Sequence, residues 1–176
     1  VLATQNPIEQ AGTYPLPEAQ LDRFLLHVLV DYPSEDEERQ ILEQTTGGAT
    51  DAVPKVMDAD AVIALQAAVR QVHVSPDVLA WITRLVRASR PGDGAPAAIN
   101  QWVKWGAGPR AGQSLVLAAK ARALLQGRFA ATREDVQALA APVMRHRLLL
   151  SFAAEAEQKR ADDVVAALLQ AVPFPG

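Results

Sequence analysis

Cysteine is absent from the 176 residues, which excludes disulfide scaffolds, thiolate metal sites and cysteine nucleophiles within them. Apolar runs are short. None approaches the ~18–20 residues a membrane helix requires, so the sequence contains no span. The opening Val1-Leu2-Ala3-Thr4 carries no basic stretch and no small-residue cleavage pattern, and does not read as a signal peptide. Histidine occurs three times, as His27, His73 and His146. No two stand at the i,i+4 spacing of a zinc helix, and all three read as structural or surface residues. No Gly-x-Ser-x-Gly is present and no serine pairs recognisably with a histidine, so a hydrolase triad has no support. There is also no Gly-x-x-x-x-Gly-Lys-Ser/Thr, the loop whose backbone cradles phosphates. Positive charge is not in excess: 17 Lys and Arg face 20 Asp and Glu, a net −3. Whole-chain electrostatics therefore do not favour nucleic acid.

What is present is alanine, 33 residues of it, against only 5% aromatics. Alanine is the best helix former, so the composition predicts a mainly α-helical fold. Hydrophobic residues at 49% and charged residues at 21% fit a globular chain. The length suits one domain, or one domain with part of another.

The first thirty residues differ from the rest. Val1–Thr4 reads as the end of a strand and Gln5-Asn6-Pro7 as a turn. Residues 8–14 read as loop. Leu16-Pro17-Glu18 starts a short helix ending near Phe24, because proline is tolerated in the first turn and an acid suits that end of the dipole. Leu25–Val30 is almost continuously apolar, as in a strand buried on both faces, and Asp31-Tyr32-Pro33-Ser34 closes it. The opening is thus β-loop-α-β, too short to form its own sheet.

From Ser34 onward the pattern is helical. Ser34 caps an acidic first turn, Glu35 to Glu38, and Thr46–Thr50 breaks that helix. A second runs from Ala59 to Val72 with Val62, Leu65, Val69 and Val72 at helical spacing. A third starts at Ser75-Pro76 with the stripe Val78, Leu79, Ile82, Leu85 and Val86. Pro91–Pro96 is the clearest loop. A fourth runs from Pro109 to near Gly127; its Leu115, Leu117, Ala118, Ala121, Leu124 and Leu125 cover much of its circumference, marking it as the central buried helix. Thr132-Arg133-Glu134-Asp135 resembles a capping box for a fifth, which Pro142 should kink or end. Val164 to Val172 marks the last. No internal repeat is found.

Three positions could serve phosphate chemistry, and each has an ordinary alternative. Gly106-Ala107-Gly108-Pro109-Arg110-Ala111 formally matches Gly-x-Gly-x-x-Ala, but no βαβ unit surrounds it. Glycines leading into a helix leave free N–H groups where the dipole favours anions. Arg110 in that first turn opposes the dipole, which suits either a bound phosphate or a solvated surface arginine. Asn6 after a strand end is a site position in α/β proteins, or a turn residue. Asp22-Arg23 ends the short helix as a functional group or as a solvated pair. Arg145-His146-Arg147 forms a small basic patch, expected on the lid surface or at a contact between subunits.

Together these pieces are more specific than any alone. Ala3–Pro7, then Gly12-Thr13-Tyr14-Pro15-Leu16-Pro17-Glu18-Ala19-Gln20-Leu21-Asp22-Arg23-Phe24, closely resembles the MoxR family of AAA+ ATPases. Gly108-Pro109-Arg110-Ala111, Arg145-His146-Arg147-Leu148 and Phe152–Glu157 extend the resemblance to about residue 158. It implies a helical-bundle AAA+ lid, residues 34–176, preceded by a short α/β remnant of the ATPase core, residues 1–33. It implies that Asn6 is sensor 1, orienting the attacking water, that Arg23 is the arginine finger reaching into the neighbouring subunit's site, and that Arg110 is the sensor 2 arginine. It further implies a ring, expected to be a hexamer, ATP and Mg²⁺ as cofactors of the full-length protein, and a chaperone-like role on partners that often contain a von Willebrand factor A domain.

The missing phosphate loop departs from the family, as does the lack of a hydrophobic strand ending in an acidic pair to hold Mg²⁺. Both motifs lie upstream of sensor 1 in the family. The chain thus reads as a C-terminal fragment that neither binds ATP tightly nor hydrolyses it alone. The core strands it keeps resemble strands 4 and 5 of a 5-1-4-3-2 sheet, without strand 1 between them, so residues 1–33 are expected to rearrange or to pair between molecules. A stand-alone helical interaction module is the competing reading. A helix-turn-helix nucleic-acid binder is disfavoured, because the longest helix carries only Arg110, Lys120 and Arg122. The lack of cysteine and of a targeting signal fits the cytoplasm.

Overall fold

The structure, a computed structural model, describes residues 2–5, 16–47 and 53–175. The fold is mainly α-helical. Contacts divide it into two compact units, Val28–Gln71 and a larger one formed by Val1–His27 with Val72–Gly176.

The smaller unit holds α2 (Glu35–Thr46) and α3 (Ala59–Gln71). Ser34 opens α2 with a full capping box: its Oγ accepts the Glu37 N–H, and the Glu37 carboxylate accepts the Ser34 N–H at 2.8 Å. Asp58 caps α3 through the Ala61 N–H at 2.8 Å. Neither helix buries a residue.

The larger unit begins with α1 (Glu18–Leu21) and continues with β1 (His73–Val74), α4 (Pro76–Ala88), α5 (Ala97–Trp102), β2 (Val103–Trp105), α6 (Pro109–Leu125), β3 (Ala130–Ala131), α7 (Arg133–Met144), a 3-10 turn at Arg145–Arg147, β4 (Leu149–Leu150), α8 (Phe152–Ala156) and α9 (Ala161–Ala171). Two two-stranded ladders brace it: β1 pairs parallel with β3, and β2 antiparallel with β4.

The core lies where α6 meets α4 and α7, and where α7 meets α9. Trp81 anchors it. Its ring is fully buried, lies edge-on to Phe174, and donates its Nε1 hydrogen to the Val172 carbonyl at 2.7 Å, tying α4 to the end of the chain. The stripe read on α4 is buried except at Leu79, which stays exposed. On α6 the buried residues are Ala111, Ser114, Leu115, Ala118, Ala119 and Ala123. Its seam is narrower than the sequence suggested: Leu115 is fully buried among small residues, while Leu125 points to solvent.

Two charged residues are buried among the described residues, Asp135 and Arg147. Asp135 is fully buried at the start of α7, with Arg122 and Arg128 each 2.6 Å from Oδ1 and the Thr132 N–H 2.9 Å from Oδ2. Burial alone would push its carboxyl up, but Arg128, the Thr132 amide and Arg122 outweigh it and hold the group well below the usual range. The capping box read at Thr132 is therefore present, with aspartate as its acid.

Three expectations need correction. Leu2–Gln5 and Leu26–Ser34 form no strand. The carbonyls of Phe24, Leu25 and His27 are instead taken by side chains from the end of α7 and the following turn, so a ladder edge is not available there. Pro142 does not break α7. It sits in the last turn, where it forfeits one i→i−4 bond without stopping the helix, which continues to Met144. Pro91–Pro96 is a loop, as read, and α5 and β2 follow it at residues where the sequence reading placed no element.

Candidate functional site

Arg110 owes its place to a tightly packed approach. The buried Ser89 hydroxyl, past the end of α4, donates to the Val86 carbonyl at 2.7 Å and accepts the Ala107 N–H at 3.0 Å, while Arg90 Nε donates to the Ala107 carbonyl at 3.0 Å. Gly106 passes so close that a Cβ there would stand 2.3 Å from the Ser89 carbonyl oxygen, so only glycine fits. This pins Gly106–Gly108 and sets the start of α6. Gly108 is the N-cap and makes no side-chain cap bond, Pro109 is the first helical residue, and Arg110 follows. The sequence reading of a glycine-led helix start is correct.

Arg110 does not point idly into solvent. Its Nη1 lies 3.0 Å from Asp22 Oδ2, with the side chains 48% and 33% exposed. The other carboxylate oxygen, Asp22 Oδ1, accepts from Arg147 Nε at 2.9 Å. The alternative of an Asp22-Arg23 solvated pair is therefore not realised, because Asp22 is engaged by two other arginines.

The residues 145–147 grip the backbone of this segment. Arg147 has a side chain only 1% exposed. It donates to the Asp22 carbonyl at 2.9 Å, the Phe24 carbonyl at 2.6 Å and Ser114 Oγ at 3.2 Å, and also engages the Val143 carbonyl. Burial lowers its pKa and the bond to Asp22 opposes that. His146 Nε2 lies 3.2 Å from the Phe24 carbonyl. Burial first, then the Arg147 charge, pushes the His146 pKa down to about 4, so the ring is neutral at pH 7. Arg145 forks onto Asp162 with two 2.9 Å bonds and donates to the His27 carbonyl at 2.8 Å, while the His27 N–H donates to the Pro142 carbonyl at 2.8 Å. The basic patch expected on the lid surface or between subunits is thus a clamp within one unit. Sequence reasoning saw the cluster and missed its role. The available signal was its position, directly after a helix and directly before the apolar Leu148-Leu149-Leu150.

Arg23, between the clamped Asp22 and Phe24, is exposed. Its N–H bonds the Gln20 carbonyl at 3.1 Å, and its guanidinium has no hydrogen bond or ion pair among the described residues. Asn6 lies outside the described residues. The structure thus joins Arg110 to the segment carrying Arg23. Chemically, a glycine-led helix start with an adjacent guanidinium fits a phosphate contact. Among the described residues no three His, Asp or Glu side chains converge as a metal-binding group. No helix among them is long and apolar enough to cross a membrane.

The mainly helical fold, with its glycine-led helix start, is that of an AAA lid domain. Comparison with known proteins agrees. Residues 96–168 match the AAA lid domain, and residues 1–26 match the ATPase family associated with various cellular activities. Chaperone MoxR1 of Mycobacterium tuberculosis is 37% identical over 99% of this chain and 46% of its own length. Protein MoxR of Paracoccus denitrificans is 35% identical over 99% of this chain and 56% of its own. The crystal structure of a candidate ATPase from Cytophaga hutchinsonii superposes with a TM-score of 0.91 at 30% identity, over 98% of this chain and 53% of that one. The chain is homologous to the MoxR proteins over nearly its whole length, and it spans about half the length of the relatives it matches.

Proposed function

We propose that this chain supplies the sensing and trans-acting arginines of a ring-forming, MoxR-like ATPase that spends ATP hydrolysis on remodelling or maturing partner proteins. Residues 1–33 are the end of the ATPase core and residues 34–176 the lid. Arg23 is the finger that enters the neighbouring subunit's site, Arg110 is sensor 2, and Asn6 is sensor 1. The observation that carries this reading is Arg23 itself: an exposed guanidinium without a partner among the described residues, on a backbone held from both sides. A cation that serves a neighbour has to be unpaired within its own chain and fixed in place. Phosphoryl transfer depends mostly on positioning and charge stabilisation, which is what a fixed arginine provides. ATP and Mg²⁺ are the cofactors of the complete protein. With no phosphate loop in its sequence, residues 1–176 alone neither bind ATP tightly nor hydrolyse it. The working assembly is a hexameric ring in the cytoplasm, where ATP is available, and its clients include proteins with von Willebrand factor A domains.

The test is Arg23→Ala in the complete protein. The ATPase kcat should fall by about 10³-fold or more, with ring assembly preserved. Unchanged kcat would remove the finger assignment. Titration of residues 1–176 with ATP by calorimetry should show no binding in the micromolar range; tight binding there would overturn the claim of dependence on the rest of the protein.

A further inference from the structure

The Arg23 finger has a neighbour that has so far appeared only as a structural clamp. Arg147 places one guanidinium within hydrogen-bonding reach of the Asp22 carboxylate, the carbonyls of Asp22, Phe24 and Leu25, and Ser114 Oγ and the Val143 carbonyl beside them. Two of these acceptors, the carbonyls of Asp22 and Phe24, are the backbone oxygens immediately flanking Arg23. The side chain is buried, and burying a charge is costly unless the site returns specific bonds. Packing alone would be met by an apolar residue at that position. A planar fork that reads carbonyls on both sides of residue 23 does something an apolar residue cannot: it sets the direction in which Arg23 leaves the backbone. The same Asp22 carboxylate is shared with Arg110 at the start of α6. One carboxylate therefore joins a sensor-2 arginine to the anchor of the finger segment, across 88 and 125 residues of sequence.

We propose that Arg147 is the positioning residue for Arg23, and that Asp22 is the shared carboxylate through which Arg110 and the finger segment are coupled. This rests on the proposed function, because it needs Arg23 to act as the finger. Phosphate arriving at Arg110 competes with Asp22 Oδ2 for the same guanidinium. The state of one subunit's nucleotide then reaches the arginine that the subunit offers its neighbour.

The experiment is a double-mutant cycle in the complete protein, read as kcat and KM for ATP, with ring assembly and thermal midpoint measured alongside. Arg147→Lys keeps the charge but loses the fork. A displacement of about 1 Å at a catalytic group costs about 10²-fold, so Arg147→Lys should lower kcat by about 10- to 100-fold with KM little changed. In the Arg23→Ala background it should lower kcat no further, because no finger remains to position. Asp22→Asn, at a partly exposed residue that is less exposed to folding failure, should behave the same way in both backgrounds. If both variants leave kcat intact, or if their losses persist undiminished in the Arg23→Ala background, the positioning role is wrong while the finger survives. If Arg23→Ala alone leaves kcat intact, the finger itself is lost and this coupling with it.

Discussion

Residues 28–71 and residues 72–175 begin their helices in the same way and end up with different interiors. Ser34 opens α2, Asp58 opens α3 and Ser75 opens α4, each by accepting a backbone N–H from the first turn. Yet α2 and α3 bury no residue, while α4 buries Val78, Trp81, Ile82, Leu85 and Val86. The apolar spacing on α3, with Val62 and Leu65, is as regular as that on α4, but Leu65 remains 49% exposed. A cap and a stripe specify where a helix begins and which face is available. Burial additionally needs facing elements at the right distance, and α4 has them in α6 and α9. Helical stability in proteins comes largely from that tertiary packing.

The largest expected effect tests this contrast directly. Trp81→Ala should destabilise the larger unit by about 3–5 kcal/mol, since it empties a core site and orphans the Val172 carbonyl. Leu65→Ala should change stability by no more than about 0.5 kcal/mol. Urea denaturation of both variants checks the pair. A loss at Leu65 comparable to that at Trp81 would break the comparison, by showing an interior in residues 28–71.

Next is Asp135→Asn. It removes the charge that Arg122, Arg128 and the Thr132 amide converge on, and should cost about 3 kcal/mol. The pH dependence has a definite sign. The folded carboxyl titrates below its ordinary value of 3.8, so its contribution is whole at pH values above that. As pH falls further, the unfolded chain takes up the proton first, and the contribution declines toward the folded pKa. Denaturation midpoints of the parent should therefore drop more steeply with acid than those of Asp135→Asn. Parallel acid limbs would show that this carboxylate is not the group responsible.

The smallest effect sharpens the other side. Ser34→Ala removes a cap and should cost α2 about 1 kcal/mol. Because α2 buries nothing, the expected signature is faster amide exchange at its first turn, with the unfolding transition of the larger unit unmoved. A shift of that transition would mean that the two regions are energetically joined.

Much of the fold was legible locally. Caps at Ser34, Ser75 and Thr132, proline at the first position of α4 and α6, and the glycines before Arg110 all act within a few residues, where sequence distance and spatial distance coincide. The short ladders β1–β3 and β2–β4 were not legible, because two- and three-residue strands carry no periodicity and their partners stand more than forty residues away. The apolar run Leu25–Val30 reads as a strand by composition, but a strand also requires an open edge beside it. Within the run, Arg147 and Arg145 take the carbonyls of Leu25 and His27, and among the described residues no strand pairs with it.

The site divides along the same line. Sequence alone determined that a guanidinium would stand at a glycine-led helix start at Arg110, that a short helix would precede Arg23, and that no phosphate loop lies in these residues, because each depends on neighbours in the chain. Only the tertiary structure decided that Asp22 would be shared by Arg110 and Arg147, that Arg147 would be buried rather than solvated, and that Arg23 would be left without a partner among the described residues. The physical reason is that an ion pair is set by distance in space. Asp22 finds both of its arginines only after α6 and α7 have packed together and carried Arg110 and Arg147 to the same side of the lid core.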